Sequence, residues 1–133
     1  MKLNTLLLVN AVVAAVFGIA FVLLPSQVFS LYGPTLSPAL KYTGQLFGSA
    51  LVSFAVLSWS ARNAPASEAR RAIVLALFIG DAIGFVVALA GQLRAVVNSL
   101  GWSTVVIYLL LAIGFGYFQF AKPASQETPS TTQ

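Results

Sequence analysis

The stretch that decides the fold is Ile73–Leu93, which reads IVLALFIGDAIGFVVALAGQL. An α-helix rises 1.5 Å per residue, so about 20 apolar residues cross the roughly 30 Å hydrocarbon core of a bilayer. The one ionisable residue in this stretch is Asp81, near its middle. A carboxyl group at that depth costs roughly 2.5–3.5 kcal/mol on insertion scales, and such groups usually face protein or water. The stretch therefore predicts a transmembrane helix with one polar site inside the membrane.

The composition extends this prediction to the whole chain. The 133 residues are 59% hydrophobic and only 8% charged, whereas soluble proteins carry about 25% charged residues. Backbone polar groups in lipid must be satisfied within each segment, and no apolar segment alternates as a barrel strand does. The expected fold is therefore an all-α membrane protein, an antiparallel four-transmembrane-helix bundle that forms one domain over residues 1–121. The four helices are expected at about Thr5–Leu24, Tyr42–Ser60, Ile73–Leu93 and Trp102–Phe120.

The segments outside these helices carry their own signals. Residues 122–133 are polar and are expected to form a disordered cytoplasmic tail. Between helices 1 and 2, Ser26–Tyr32 has apolar residues at helical spacing, which predicts a short interfacial helix that ends at Gly33-Pro34. A loop with buried aromatics and a re-entrant lid over a cavity are the alternatives. Met1-Lys2 before an apolar run also suits a cleaved signal peptide, but the run is longer than a typical signal core, so we expect a retained helix.

The distribution of Lys and Arg predicts the topology. Basic residues are enriched in cytoplasmic loops. Most of them lie on the side of the two termini, so both termini are predicted to be cytoplasmic. The terminal side carries Lys2, Arg62, Arg70, Arg71 and Lys122, and the other side carries Lys41 and Arg94. We interpret Arg62, Arg70 and Arg71 as anchors for anionic lipid headgroups, with a docking patch for a cytoplasmic partner as the alternative.

Missing residue types exclude several kinds of chemistry. The chain has no Cys and no His, so thiol catalysis, iron–sulfur clusters, His-ligated haem and Cys- or His-ligated metals are excluded. Its three acids are Glu68, Asp81 and Glu127. Glu68 falls in a loop and Glu127 in the tail, so a carboxylate pair would need two copies of Asp81 in a dimer.

We expect no metal, no cofactor and no enzymatic activity. The basic residues are too few and scattered for nucleic acid, and membrane lipids and a homodimer are the expected partners.

Small residues predict where helices pack together. Gly44 and Gly48 are four residues apart in the second helix, and Gly80 and Gly84 are four apart in the third. Such spacing lets helix backbones approach closely in lipid. We interpret both pairs as helix-packing positions inside the protein, with a dimer face as the alternative.

Depth along the helices predicts the neighbours of Asp81. At 1.5 Å per residue, Asp81 lies about 13–14 Å from the inner boundary, Ser53 about 12 Å and Asn10 about 8 Å. These three residues form the candidate intramembrane polar site, with Ser53 as the expected partner. No Lys or Arg lies at that depth, so desolvation favours a neutral carboxylic acid that donates a hydrogen bond. Three roles stay open for Asp81: a hydrogen bond between helices, a proton- or cation-linked group in a transporter, and a polar group in a ligand pocket.

Several short motifs resemble a known group. Leu24-Pro25 ends the first helix, Leu31-Tyr32-Gly33 follows, and Trp59-Ser60-Ala61-Arg62 closes the glycine-spaced second helix. This layout resembles the DoxX-like small four-helix bacterial membrane proteins, many of which have no known function. The resemblance implies a compact four-helix bundle in a bacterial inner membrane. It implies no catalytic residue at any position of this chain.

The function expected from the sequence is that of a small multi-pass membrane protein without catalytic machinery. It would be structural or accessory, or would bind a lipid in a cavity. The alternative is a small dimeric proton-coupled transporter that uses the intramembrane carboxyl of Asp81. Four helices and one buried carboxyl resemble the plan of the small multidrug-resistance transporters. Those proteins carry the acid in the first helix, where this chain has Asn10 and no acid.

Overall fold

The computed structural model describes residues 2–121, and all of the regular structure in that range is helical. Four helices are long and apolar enough to cross a membrane. The all-α fold is confirmed, and the chain is a membrane protein. The tail predicted for residues 122–133 lies outside the described residues. The helices are α1 (Leu3–Leu23), α2 (Pro25–Tyr32), α3 (Pro38–Ala61), α4 (Glu68–Leu93) and α5 (Gly101–Gly116), which continues into a π-helical turn, Tyr117–Ala121.

Two of the long helices begin before their apolar segments because serine caps start them early. The Ser37 hydroxyl accepts a hydrogen bond from the backbone N–H of Leu40 at 3.1 Å, and Pro38 occupies the first helical position. The Ser67 hydroxyl accepts from the N–H of Arg70 at 3.1 Å. Each cap satisfies one backbone donor that the first helical turn leaves without a partner. The polar first turns of α3 and α4 thus belong to the helices.

The short helix predicted after α1 is present as α2. Pro25 stands at its first turn, where the missing N–H of proline costs nothing, and Gly33 ends it. Gly33 has φ +95°, a left-handed conformation that glycine adopts without strain. A side chain there would also approach Asn98, whose amide nitrogen would lie 3.3 Å from the added Cβ. Gly33 is therefore needed for the turn, and its lack of a side chain leaves room for Asn98, which lies between α4 and α5.

The four long helices associate as two antiparallel pairs, α1 with α3 and α4 with α5. In the first pair the backbones touch: a Cβ added to Gly48 would lie 2.8 Å from the carbonyl oxygen of Gly18. In the second pair the ring of Tyr108 occupies the space over Gly84. In lipid there is no hydrophobic force that brings helices together, so close packing of this kind drives their association. The two pairs contact each other much less than the helices do within a pair.

The two pairs are joined at the end of the protein where α1 and α4 begin and α3 and α5 finish, here called the termini end. Side chains from all four long helices form a buried core there, namely Leu3, Leu6, Leu7, Ala61, Val74, Leu77, Leu111, Phe115 and Phe118. Arg70 of α4 adds a polar link. Its guanidinium donates to the carbonyl oxygens of Ala61 at 3.1 Å and Arg62 at 3.2 Å, which lie at the end of α3. The termini end is thus closed by both apolar and polar contacts.

At the opposite end, here called the α2 end, one asparagine joins the pairs. Asn98, in the α4–α5 connection, donates through its side-chain amide to the carbonyl of Leu31 at 2.8 Å. Its backbone N–H donates to the carbonyl of Tyr32, also at 2.8 Å. The Asn98 side-chain oxygen accepts from the N–H of Leu100 at 3.0 Å, which holds the amide in place. Because both ends are closed and the middle is not packed, a space remains between the two helix pairs.

Candidate ligand cavity

A cavity of about 290 Å³ occupies the space between the α1–α3 pair and the α4–α5 pair. Protein interiors are normally close-packed, with few voids larger than a water molecule. The volume is close to the lower end of the roughly 300–1,000 Å³ typical of small-molecule sites. Its wall is lined by Asn10, Val13, Ala14, Phe17, Phe21, Phe29, Tyr32, Pro34, Phe47, Leu51, Asp81, Ala88, Gly91, Val96, Val97, Gly101, Thr104, Ile107, Tyr108 and Leu111.

Helical periodicity accounts for how each helix contributes to the wall. In α1, the lining residues Asn10, Ala14, Phe17 and Phe21 are three or four positions apart, so they share one face. At 1.5 Å per residue, the span from Asn10 to Phe21 covers about 16 Å along the axis. The cavity is therefore elongated and runs along the helices toward α2.

Aromatic rings form the α2 end of the cavity. Phe21 contacts Phe29 edge to face at a centroid distance of 5.5 Å, and Phe47 in the same manner at 5.4 Å. Tyr32 of α2 and Thr104 of α5 are joined by a hydrogen bond of 3.0 Å between their hydroxyls. The short helix α2 thus contributes to the cavity wall and connects to the second helix pair.

Asp81 lies on the wall of this cavity. Its Oδ2 atom is buried and has no hydrogen-bond partner among the described residues. The aromatic ring of Tyr108 packs over Gly84, less than one helical turn from Asp81, and both Tyr108 and Asp81 line the cavity. Buried polar atoms are normally hydrogen-bonded, and one without a partner calls for an explanation. The hydrogen bond expected between Asp81 and a neighbouring helix is therefore not found among the described residues, and the carboxyl group is left to interact with an occupant of the cavity.

The structure brings only part of the predicted polar site together. Asn10 lines the same cavity as Asp81, but its side-chain amide donates to the Ser58 hydroxyl at 2.8 Å. Asn10 is 5% exposed and Ser58 is fully buried. Ser53 is exposed and donates to the carbonyl of Ser49 at 3.3 Å. The expected pairing of Asp81 with Ser53 is therefore wrong, because Ser53 points away from the cavity.

The sequence contained a signal for Ser58 that depth alone does not reveal. Ser58 follows Gly44 by 14 residues, which returns it to within about 40° of the same helix face, whereas Ser53 lies about 180° away. The packed face of α3 carries Gly44, Gly48, Ala55 and Ser58, all of them buried. Helix face, rather than depth, identifies the serine that faces α1.

The four predicted packing glycines behave differently. Gly48 meets the α1 backbone, Gly44 lies against the ring of Phe29, and Gly84 lies against the ring of Tyr108. A Cβ added to Gly80 would meet no atom within 4 Å. Gly80 is also exposed, so the prediction that it packs against another helix is wrong.

The three arginines predicted as headgroup anchors lie at the termini end. The guanidinium of Arg62 donates to the carbonyl of Trp59 at 2.7 Å and lies 3.5 Å from the centre of the Trp59 indole ring. Arg70 is half-buried and holds the end of α3, as described above. Arg71 is exposed near the start of α4. Arg70 therefore has a structural role that the interpretation as a headgroup anchor did not include.

A few polar side chains interrupt the apolar wall of the cavity. They are the carboxyl of Asp81, the amide of Asn10, and the hydroxyls of Tyr32, Thr104 and Tyr108. Within residues 2–121, no three His, Cys, Asp or Glu side chains come together as metal ligands would. The arrangement offers one unpartnered carboxyl group at a fixed depth in a largely apolar, aromatic space.

Comparison with known proteins places this chain in a family. No curated protein and no solved structure matches it. One family model, described as a domain of unknown function, matches residues 1–121, the whole of the helical region. The chain therefore belongs to the DUF8292 family.

Proposed function

We propose that this protein binds an elongated apolar molecule inside the membrane, in the cavity between its two helix pairs. The observation that carries the proposal is the cavity itself, about 290 Å³ in volume and lined mainly by apolar and aromatic side chains. Wall atoms that face a space of this size have no packing partners on that side and so lose dispersion contacts. An apolar occupant restores those contacts.

Binding, rather than catalysis, fits the side chains present. The wall offers one carboxyl, one amide and three hydroxyls, and the amide of Asn10 already bonds to Ser58. A catalytic site needs a nucleophile or base held by a second group. Asp81 has no hydrogen-bond partner among the described residues that could serve this purpose. The protein would act as a membrane-embedded binding protein or an accessory subunit.

A photoreactive ligand tests this proposal. The reagent is a decan-1-ol that carries a diazirine on its chain, added to the protein in lipid nanodiscs, with labelled residues mapped by mass spectrometry. We expect labelling of cavity residues such as Phe17, Phe21 and Ile107 that unlabelled decanol competes away. Labelling that is confined to outward residues such as Val86 and Val87, without competition, would rule out the cavity as a binding site.

We further propose that the protein lies in a bacterial inner membrane with both termini in the cytoplasm. Arg62, Arg70 and Arg71 all belong to the termini end, and positive charge is concentrated on the cytoplasmic side of membrane proteins. In this orientation α2 lies near the outer surface and the Arg70 contact lies near the inner one.

Single cysteines test the orientation cleanly, since the chain has none of its own. Thr35→Cys lies in the α2–α3 connection and Ala66→Cys in the α3–α4 connection, and both positions are exposed. We expect a membrane-impermeant maleimide to label Thr35→Cys in intact spheroplasts and Ala66→Cys only after permeabilisation. The reverse pattern would place the termini outside.

A further inference from the structure

We infer that the preferred ligand is an aliphatic amine, with its ammonium group at Asp81 and its alkyl chain extending toward the α2 end. This inference rests on the proposed function and specifies the ligand class for the same cavity. It comes from three features of the wall: its charge, its aromatic rings and its length.

The charge of the wall favours a cation. Among the lining residues, Asp81 is the only acid and none is Lys or Arg. The buried Oδ2 atom has no donor within the described protein. A carboxyl taken out of water is strongly stabilised by a charged donor, and an ammonium group supplies both the charge and the hydrogen bonds. A carboxylate ligand would instead place two acids together.

The aromatic rings of the wall favour the same head group. The ring of Tyr108 lies over Gly84, less than one helical turn from Asp81, and Phe17 lines the wall from α1. The faces of aromatic rings carry negative electrostatic potential and attract ammonium groups, most strongly where water is excluded. An alcohol can donate one hydrogen bond to Asp81 but gains little from the rings. The head-group site therefore discriminates between two ligands of equal length.

The rest of the cavity wall determines which alkyl chain of the ligand fits. Beyond Asp81 the cavity continues past Ala88 to the apolar rings of Phe21, Phe29 and Phe47. At roughly 30 Å³ for each water-sized group, a volume of 290 Å³ holds about ten non-hydrogen atoms. A straight chain of about ten carbons fits both this volume and the elongated shape. Decylamine, decan-1-ol and decanoate are therefore matched probes that differ only in the head group.

Native mass spectrometry of the protein released from detergent micelles tests the inference, because it counts the ligands bound to each chain. For the unmodified protein we expect decylamine to bind about tenfold more tightly than decanol, and decanoate to bind most weakly. This series needs no variant, so it does not depend on how any variant folds. Decanol or decanoate binding as tightly as decylamine would overturn the inference while leaving the proposed function standing.

Asp81→Asn completes the test, with Glu68→Gln as the matched control. Both changes remove one carboxyl from α4, but Glu68 is exposed at the start of the helix and does not line the cavity. We expect Asp81→Asn to weaken decylamine binding about tenfold and decanol binding much less, because the oxygen of the asparagine amide still accepts a hydrogen bond from the alcohol, while Glu68→Gln changes neither. Equal loss of both ligands in Asp81→Asn would contradict the ion pair. If none of the three probes bound to the unmodified protein, the proposed function would fail as well.

Discussion

Gly48→Ala is expected to destabilise the protein by about 1–3 kcal/mol, the usual cost of overpacking a tight interior. The added Cβ would lie 2.8 Å from the carbonyl oxygen of Gly18 and 2.8 Å from the Cβ of Phe21. Neither neighbour is the end of a flexible side chain, so α1 and α3 must move apart. The reciprocal contact is as tight, because a Cβ on Gly18 would lie 2.9 Å from the carbonyl oxygen of Gly48.

Gly80→Ala is the matched control for this prediction. It makes the same change inside a helix, and its new Cβ would meet no atom within 4 Å. Alanine has a higher helix propensity than glycine by up to about 1 kcal/mol, so Gly80→Ala should be neutral or stabilising. Equilibrium unfolding in mixed detergent micelles measures both variants. Both variants gain the same helix propensity, so the difference between their free energies of unfolding measures the effect of the close contact at Gly48. Equal free energies of unfolding would show that α1 and α3 do not touch there.

Ala88→Phe is expected to weaken ligand binding strongly, as measured by the photolabelling experiment. Ala88 follows Asp81 by seven residues, which is about 20° short of two full helical turns, so both residues share the face of α4 that lines the cavity. A phenyl ring at this position occupies the space in which the ligand chain would lie. Competable labelling should fall by about tenfold or more, which corresponds to about 1.4 kcal/mol of lost binding free energy.

Val86→Phe is the control for the cavity-filling change. Val86 lies on the same helix, is 62% exposed and does not line the cavity. The Val86→Phe variant should bind the photoreactive decanol as tightly as the unmodified protein does. If Ala88→Phe and Val86→Phe labelled equally well, with unfolding curves that match the unmodified protein, the ligand would not occupy this space.

Much of the fold could be predicted from the sequence because membrane insertion constrains each helix locally. The length of each apolar segment sets the number of helices, and Ser37 and Ser67 mark helix starts through contacts within one turn. The short helix α2 was also predictable, because Gly33 stops it and its apolar residues have helical spacing. These features depend on residues close together in the chain.

The candidate site was less predictable because it depends on how helices are rotated and paired. Asp81 stood out from its depth alone, but depth could not separate Ser53, which is exposed, from Ser58, which meets Asn10. Gly80 and Gly84 share a four-residue spacing, yet only Gly84 has a neighbour. The cavity itself had no sequence signal. It follows from the helices associating as two pairs that are joined only near their ends, a long-range arrangement that involves Asn98 and Arg70.

An apolar ligand chain is expected to lie between the two helix pairs. A crystal structure of the protein with 10-bromodecan-1-ol tests this, because the anomalous signal of bromine locates the far end of the chain. We predict one bromine position inside the cavity, beside Phe21 and Phe29, with the hydroxyl end directed toward Asp81. Bromine found only on the outer, lipid-facing surfaces of the helices, with the space between the pairs empty or closed, would contradict it.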